Sequence, residues 1–179
     1  FSIESKIKSL QEEGMEHQKA ELKGVEEFAI ECSIIKVGTS EDIQNCADDG
    51  IQIYGGMGFS ADTPMESAWR DARIGRIYEG TNEINRMLSV GMLIKKSMKG
   101  ELDLMNAVVK VVNELTQGNS FEKTDEHHLL SEEQQKIENL KKVFLMIAGS
   151  AFQKYGPALE KNQQILLGLS DMMIEIYFA

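Results

Sequence analysis

The chain has 179 residues, 42% of them hydrophobic, enough for one domain or for one domain with a smaller appendage. Its net charge of −10 argues against a broad nucleic-acid-binding face, and no run of about 18 apolar residues could form a transmembrane helix. With only two prolines and abundant Ala, Leu, Glu, Lys, Gln and Met, the composition reads as all-α.

Residues 3–36 read as one long helix or two joined helices. Leu22, Val25, Phe28, Ala29, Cys32 and Ile35 recur at helical spacing, and Gly14 is the weak point. Thr39-Ser40-Glu41-Asp42 reads as a new helix start, a hydroxyl cap with acids in the first turn, for a helix running to Tyr54. Gly55-Gly56-Met57-Gly58 must break it. Thr63-Pro64-Met65-Glu66 then combines a cap residue, a proline at the first helical position and a Glu three after the cap. That helix carries Trp69, Arg70, Asp71, Arg73 and Arg76. The aromatics Trp69 and Tyr54 read as core or interface residues, and the charged group reads as a structural ion-pair network.

Gly80-Thr81 punctuates the chain again, before a helix over 82–99. Ile84, Met87, Leu88 and Gly91 share one of its faces, and Lys95, Lys96 and Lys99 suit the dipole at its end. Gly100 ends it, and a Val-rich helix over 101–115 follows. Residues 116–130, with Gly118 and the His127-His128 pair, read as a linker. Ser131-Glu132-Glu133-Gln134 reads as a capping box before an amphipathic run in which Leu140, Phe144, Ile147 and Ala151 share a face. Gly156-Pro157 stops that run. A final helix over 158–179 turns Ile165, Leu169, Met172 and Ile176 inward. The ten methionines read as core filling. Cys32 and Cys46 follow no metal spacing and read as free thiols in a reducing compartment. No signal peptide is legible at the start. The first residue is not Met and the last segment has no stop signal, so the sequence reads as part of a longer polypeptide.

One stretch carries chemistry. Gln52-Ile53-Tyr54-Gly55-Gly56-Met57-Gly58-Phe59 is followed by Arg70-Asp71-Ala72-Arg73-Ile74 and by Ile77-Tyr78-Glu79-Gly80-Thr81-Asn82-Glu83-Ile84. Glu79 lies between an aromatic residue and a glycine at a helix-to-helix junction. A carboxylate there can project into a cleft, where desolvation raises its pKa toward the working range of a general base. The glycine-rich turn offers backbone N–H groups to an anionic ligand. On these grounds alone, a Glu beside a helix end is ordinarily a solvated surface acid, and a non-catalytic helical interaction module is equally permitted.

The same residues resemble acyl-CoA dehydrogenases. Residues 52–58 resemble the family's Gln-x-x-Gly-Gly-x-Gly element, and residues 70–84 its Arg-Asp-x-Arg-Ile…Tyr/Phe-Glu-Gly-Thr element, in the family's order and separation. The likeness extends from about residue 20 to 100. Residues 101–179 resemble the added C-terminal helical region of the very-long-chain branch. The resemblance implies an all-α helical bundle over 1–115, a linker over 116–130 and partial extension helices over 131–179.

The resemblance also implies site roles. Glu79 would remove the α-proton of a fatty acyl-CoA thioester, with hydride transfer to FAD. Tyr78 and Gly80 would line the acyl and thioester path. Thr81 and Glu83 would contact FAD beside the catalytic loop, and Gln52 and Gly56 would reach the FAD of a neighbouring subunit. A homo-oligomer, a dimer, follows, with electron-transfer flavoprotein as electron acceptor. The compartment implied is the bacterial cytoplasm, or the mitochondrial matrix in a eukaryote. Acyl-CoA oxidases share the chemistry but pass electrons to oxygen. The family's β-domain has no counterpart in this sequence, which would therefore hold the base and one wall of the cofactor site.

Overall fold

The structure is a computed structural model describing residues 2–117 and 130–179. The described residues contain eight α-helices and no strand, as the composition requires. Gly118, His127 and His128 lie outside the described residues, as does most of the span read as a linker.

Helix α1 (Ser2–Glu12) and α2 (His17–Glu27) form a hairpin that turns at Gly14, which takes φ +88°. The chain kinks at Phe28 and enters α3 (Ala29–Tyr54). The stripe read from sequence faces outward on both sides of this kink: Leu22 is 74% exposed and Val25 54%, and Cys32 and Ile35 are exposed as well. Ala20, Ile30, Ile34 and Val37 are buried instead.

Helix α3 also runs unbroken through Thr39-Ser40, where the sequence suggested a start. The two hydroxyls do not cap forward. Thr39 Oγ1 donates to the Ile35 carbonyl at 2.7 Å and Ser40 Oγ to the Val37 carbonyl at 3.0 Å, which is how such residues are accommodated inside a helix.

A 3-10 turn (Gly55–Phe59) leads to α4 (Met65–Ile74). The expected capping box does not form. Thr63 Oγ1 donates back to the Met57 carbonyl, Pro64 stands at the cap itself, and Glu66 pairs with Arg70. Helix α5 (Asn82–Met98) starts at Thr81, whose side chain accepts from the Ile84 N–H. Its expected apolar face is only partly used: Ile84 and Leu88 are exposed, while Ser89, Val90 and Ile94 are buried. Lys96 donates to the Glu27 carbonyl at 2.8 Å, closing the end of α2 with a cation.

Helix α6 (Leu104–Thr116) packs on α7 (Ser131–Tyr155). Ser131 is the first helical residue, not a cap that bonds with its side chain. Gly156 takes φ +50° and a 3-10 turn (Gly156–Lys161) follows, so α8 begins later than expected, at Gln163–Phe178. On α7, Phe144 and Ala151 are buried but Leu140 and Ile147 are exposed.

The core joins the two halves of the chain. Val90 and Ile94 of α5 pack with Phe144, Ala148 and Ala151 of α7, Leu159, and Leu166 and Leu169 of α8. Ile174 of α8 packs with Ile30, Ile34 and Val37 of α3. Full burial of one such aliphatic side chain contributes about 1.5–3 kcal/mol, so α8 is held at both ends. The methionines are core filling only in part: Met87, Met92, Met172 and Met173 are partly buried and pack against the core, while Met57, Met98, Met105 and Met146 are exposed. Tyr54 and Trp69 also lie outside it. The indole of Trp69 donates to Asp48 Oδ1 at 3.0 Å.

Candidate functional site

The junction between α4 and α5 is a turn held by its own backbone. Ile77 N–H bonds to the Ile74 carbonyl at 2.9 Å, Tyr78 N–H to the same oxygen at 3.2 Å, and Asn82 N–H to the Arg76 carbonyl at 3.1 Å. To close the turn, Glu79 takes φ +57° and Gly80 φ +82°. Glu79 is the only non-glycine residue with positive φ among those described. A left-handed conformation at a residue with a Cβ costs about 1–2 kcal/mol, so the surroundings must hold it there.

Side chains from α3 and α5 hold it. Lys36 Nζ donates to the Gly80 carbonyl at 2.8 Å and to Asn82 Oδ1 at 2.7 Å. Asn85 Nδ2 reaches the carbonyls of Glu79, Gly80 and Thr81 at 3.4, 2.8 and 3.2 Å. Asn82 is fully buried, and its amide donates to Ser40 Oγ and Glu41 Oε1, both at 3.0 Å. Arg86 grips Glu41 with two parallel bonds of 2.8 and 2.7 Å and donates through Nε to Asp171 at 2.6 Å. Arg76 adds a 3.7 Å ion pair to Glu41. The Arg86 hydrogen bond, outweighing burial, holds the Glu41 carboxyl below the usual carboxylate range, with Asn82 and Arg76 assisting. Ser89 and Ser170 share a buried 3.0 Å bond one turn further along.

None of Lys36, Ser40, Glu41, Asn82, Asn85, Arg86 or Asp171 was legible as a site residue. Arg86 follows Asn82, Glu83 and Asn85 in an already polar start of α5, so no break in the local pattern marks it.

Of the seven residues singled out from sequence, five gather at this junction. Glu79 and Tyr78 are exposed and line a groove of about 220 Å³ with Lys36, Thr39, Ser40, Ile43 and Asp71. The Glu79 carboxylate has no hydrogen bond or ion pair among the described residues. Gly80 lies at the turn, and Thr81 caps α5. Glu83 bonds back to its own N–H and to Thr81, which holds its carboxyl below the ordinary range. It therefore completes the helix start.

Gln52 and Gly56 stand apart from the other five. From Ile43 to Gln52 the α3 axis advances about 14 Å, and both residues are exposed. A Cβ built at Gly56 would meet nothing within 4 Å, so its backbone is open to an approaching group. No cluster of three metal-ligating side chains occurs among the described residues, and no helix there is long and apolar enough to cross a membrane.

The family described as "Acyl-CoA dehydrogenase, C-terminal domain" matches residues 3–92, and a second family of the same description matches residues 139–179. A probable acyl-CoA dehydrogenase of Bacillus subtilis is 40% identical over 155 residues, covering 87% of this chain and 26% of that protein. Short-chain specific acyl-CoA dehydrogenase of Homo sapiens is 43% identical over 68 residues, 38% of this chain and 16% of that protein. Very long-chain specific acyl-CoA dehydrogenase of Rattus norvegicus is 46% identical over 65 residues, 36% of this chain and 10% of that protein. The crystal structure of an acyl-CoA dehydrogenase from Bacillus anthracis, complexed with FAD, superposes with a TM-score of 0.91 at 43% identity. The match covers 98% of this chain and 30% of that one. The chain thus spans between a quarter and a third of the Bacillus subtilis and Bacillus anthracis proteins it matches.

Proposed function

The chain belongs to the acyl-CoA dehydrogenase family, as the C-terminal helical part of such a protein, and on that premise we propose that the whole protein desaturates fatty acyl-CoA thioesters with Glu79 as the α-proton base. The observation that carries this reading is Glu79 itself, a carboxylate without a partner among the described residues, held in a left-handed turn at the mouth of a groove. Strained backbone at an exposed acid is the kind of outlier from which a functional hypothesis is properly drawn. A carboxylate oxygen of Glu79 takes the proton from Cα. The electron pair left behind becomes the Cα–Cβ double bond as hydride departs from Cβ. Tyr78 and Gly80 flank the acid and line the path of the acyl and thioester groups.

The donor set fits one edge of FAD. Gln52 offers an exposed amide, Gly56 an uncovered backbone, Thr81 a hydroxyl and Glu83 an acceptor, and no Cβ obstructs the approach at Gly56. When bound, FAD supplies the hydride acceptor. Thr81 and Glu83 would hold it beside the base, while Gln52 on α3 and Gly56 in the turn after it would serve the cofactor of a neighbouring subunit. The protein is accordingly a homo-oligomer, a dimer; sedimentation as a monomer with full flavin content contradicts this. The electron acceptor is an electron-transfer flavoprotein. Reoxidation by oxygen at the turnover rate would instead favour an oxidase.

Division of the chain into the family domain over 1–115 and extension helices over 131–179 supports a place near the very-long-chain branch. The stretch matched to the very-long-chain enzyme is no longer than that matched to the short-chain one, so this assignment rests on the extension alone. Turnover assays across acyl chain lengths test it, and a short-chain optimum overturns it. For the reaction, the test is Glu79→Gln in the complete protein. Acyl-CoA binding and flavin content persist while turnover falls about 10²–10⁴-fold. Turnover near the wild-type rate rejects Glu79 as the base.

A further inference from the structure

We infer that Lys36 and Asn85 are positioning residues, a two-sided clamp that sets the aim of Glu79 by fixing the carbonyls of its turn. The inference rests on the reading of Glu79 as the base and adds what aims it. The geometry is specific. Three successive carbonyls, those of Glu79, Gly80 and Thr81, are gathered by the single amide of Asn85, one turn into α5. From the opposite side, Lys36 on α3 donates to the Gly80 carbonyl and to Asn82, the buried first residue of α5. The Gly80 oxygen is therefore held from two helices at once, with 2.8 Å to each donor.

The residue just before it is the one non-glycine with positive φ among those described, and its side chain is the exposed acid. A backbone in this region relaxes when its restraints are removed, and the direction of its Cα–Cβ bond turns with it. Lys36 and Glu79 also line the same groove, so the clamp borders the space the acid faces. The short polar stem of Asn85 and the long flexible stem of Lys36 divide the work: Asn85 sets the curvature of the turn and Lys36 sets its distance from α3.

A misplacement of about 1 Å at a reacting group can lower the rate about 10²-fold with little effect on binding. The experiment uses the complete flavin-loaded protein carrying Lys36→Met, which keeps the stem and removes the donors, and separately Asn85→Ala. Anaerobic flavin reduction by saturating acyl-CoA, flavin content and the Kd of a non-reacting acyl-CoA analogue are measured in each. We expect reduction to slow at least 10-fold with Kd and flavin content unchanged, and Lys36→Arg to recover part of the loss.

A double substitution separates aiming from general destabilisation. If Lys36 acts only through Glu79, Lys36→Met adds no further loss on top of Glu79→Gln. Additive losses overturn the inference, as does wild-type reduction in either folded single variant. If Lys36→Met does not fold, Asn85→Ala decides alone by the same criterion. Wild-type reduction in Glu79→Gln would instead reject the base, an outcome distinct from failure of the clamp.

Discussion

Replacing Arg86 by Met tests the network that ties α3, α5 and α8 beneath the turn. Met keeps most of the aliphatic volume and removes the charge and all five donors. Three charge-assisted bonds disappear, two to Glu41 and one to Asp171. The side chains of Arg86 and Glu41 are only 16% and 25% exposed, whereas Asp171 is 57% exposed and contributes little. Stripping one member from a fully buried pair costs about 3–5 kcal/mol. Glu41 keeps Asn82 and the more distant Arg76, so the loss here should be about 2–3 kcal/mol at pH 7.

Urea unfolding of the wild-type and Arg86→Met chains measures the difference, and its pH dependence gives a second check. The Glu41 carboxyl is held below its ordinary value of 4.5, chiefly by the Arg86 hydrogen bond. Its folded pKa is therefore lower than its unfolded one. The stabilisation is fully present above about pH 4.5 and is lost as pH falls through the folded value. The gap between the two proteins should thus be constant from pH 7 to 5 and narrow below 4.5. A loss under about 0.5 kcal/mol at pH 7, or a gap that widens in acid, would refute the reasoning.

Gly149 lets α6 approach α7, because a Cβ there would lie 2.6 and 3.0 Å from the two methyls of Val108. Valine is stiff at χ1, so Gly149→Ala should cost about 1–3 kcal/mol in overpacking, more than the roughly 1 kcal/mol gained in helix propensity. A lowered Tm is expected, and a raised one would show that α6 slides freely. Every residue assigned to the flavin except the half-buried Thr81 lies on exposed surface. The chain alone should therefore elute colourless from gel filtration after incubation with FAD, and a stoichiometric yellow peak would contradict that.

Helix punctuation was the part of the fold that sequence could reveal. Gly14, Gly80-Thr81, Gly100 and Gly156-Pro157 end or begin helices because backbone that needs positive φ, or lacks an N–H, acts locally whatever surrounds it. Hydroxyl caps were harder to read. Thr39, Ser40 and Thr63 each bond backward to a carbonyl, a choice set by tertiary packing. The stripe of Leu22, Val25, Cys32 and Ile35 faces outward because the bundle buries the adjacent face, with Ala20, Ile30, Ile34 and Val37, and helical spacing alone does not decide between two neighbouring faces. The site itself divides the same way. Tyr78, Glu79, Gly80 and Thr81 are adjacent in sequence and were readable as a motif. The residues that hold them come from α3, α5 and α8, with Lys36 and Asp171 far apart along the chain, and no local pattern records such pairings.

Exchange of the substrate's α-proton with solvent tests the central claim most directly, because it reports the base without requiring hydride transfer. An acyl-CoA analogue that cannot lose its β-hydrogen is incubated with the complete protein in deuterated water, and deuterium at Cα is followed by mass spectrometry. Glu79 as the base predicts exchange in the wild type and exchange about 10²–10⁴-fold slower in Glu79→Gln, with the analogue still bound. Exchange at the wild-type rate in Glu79→Gln would contradict it.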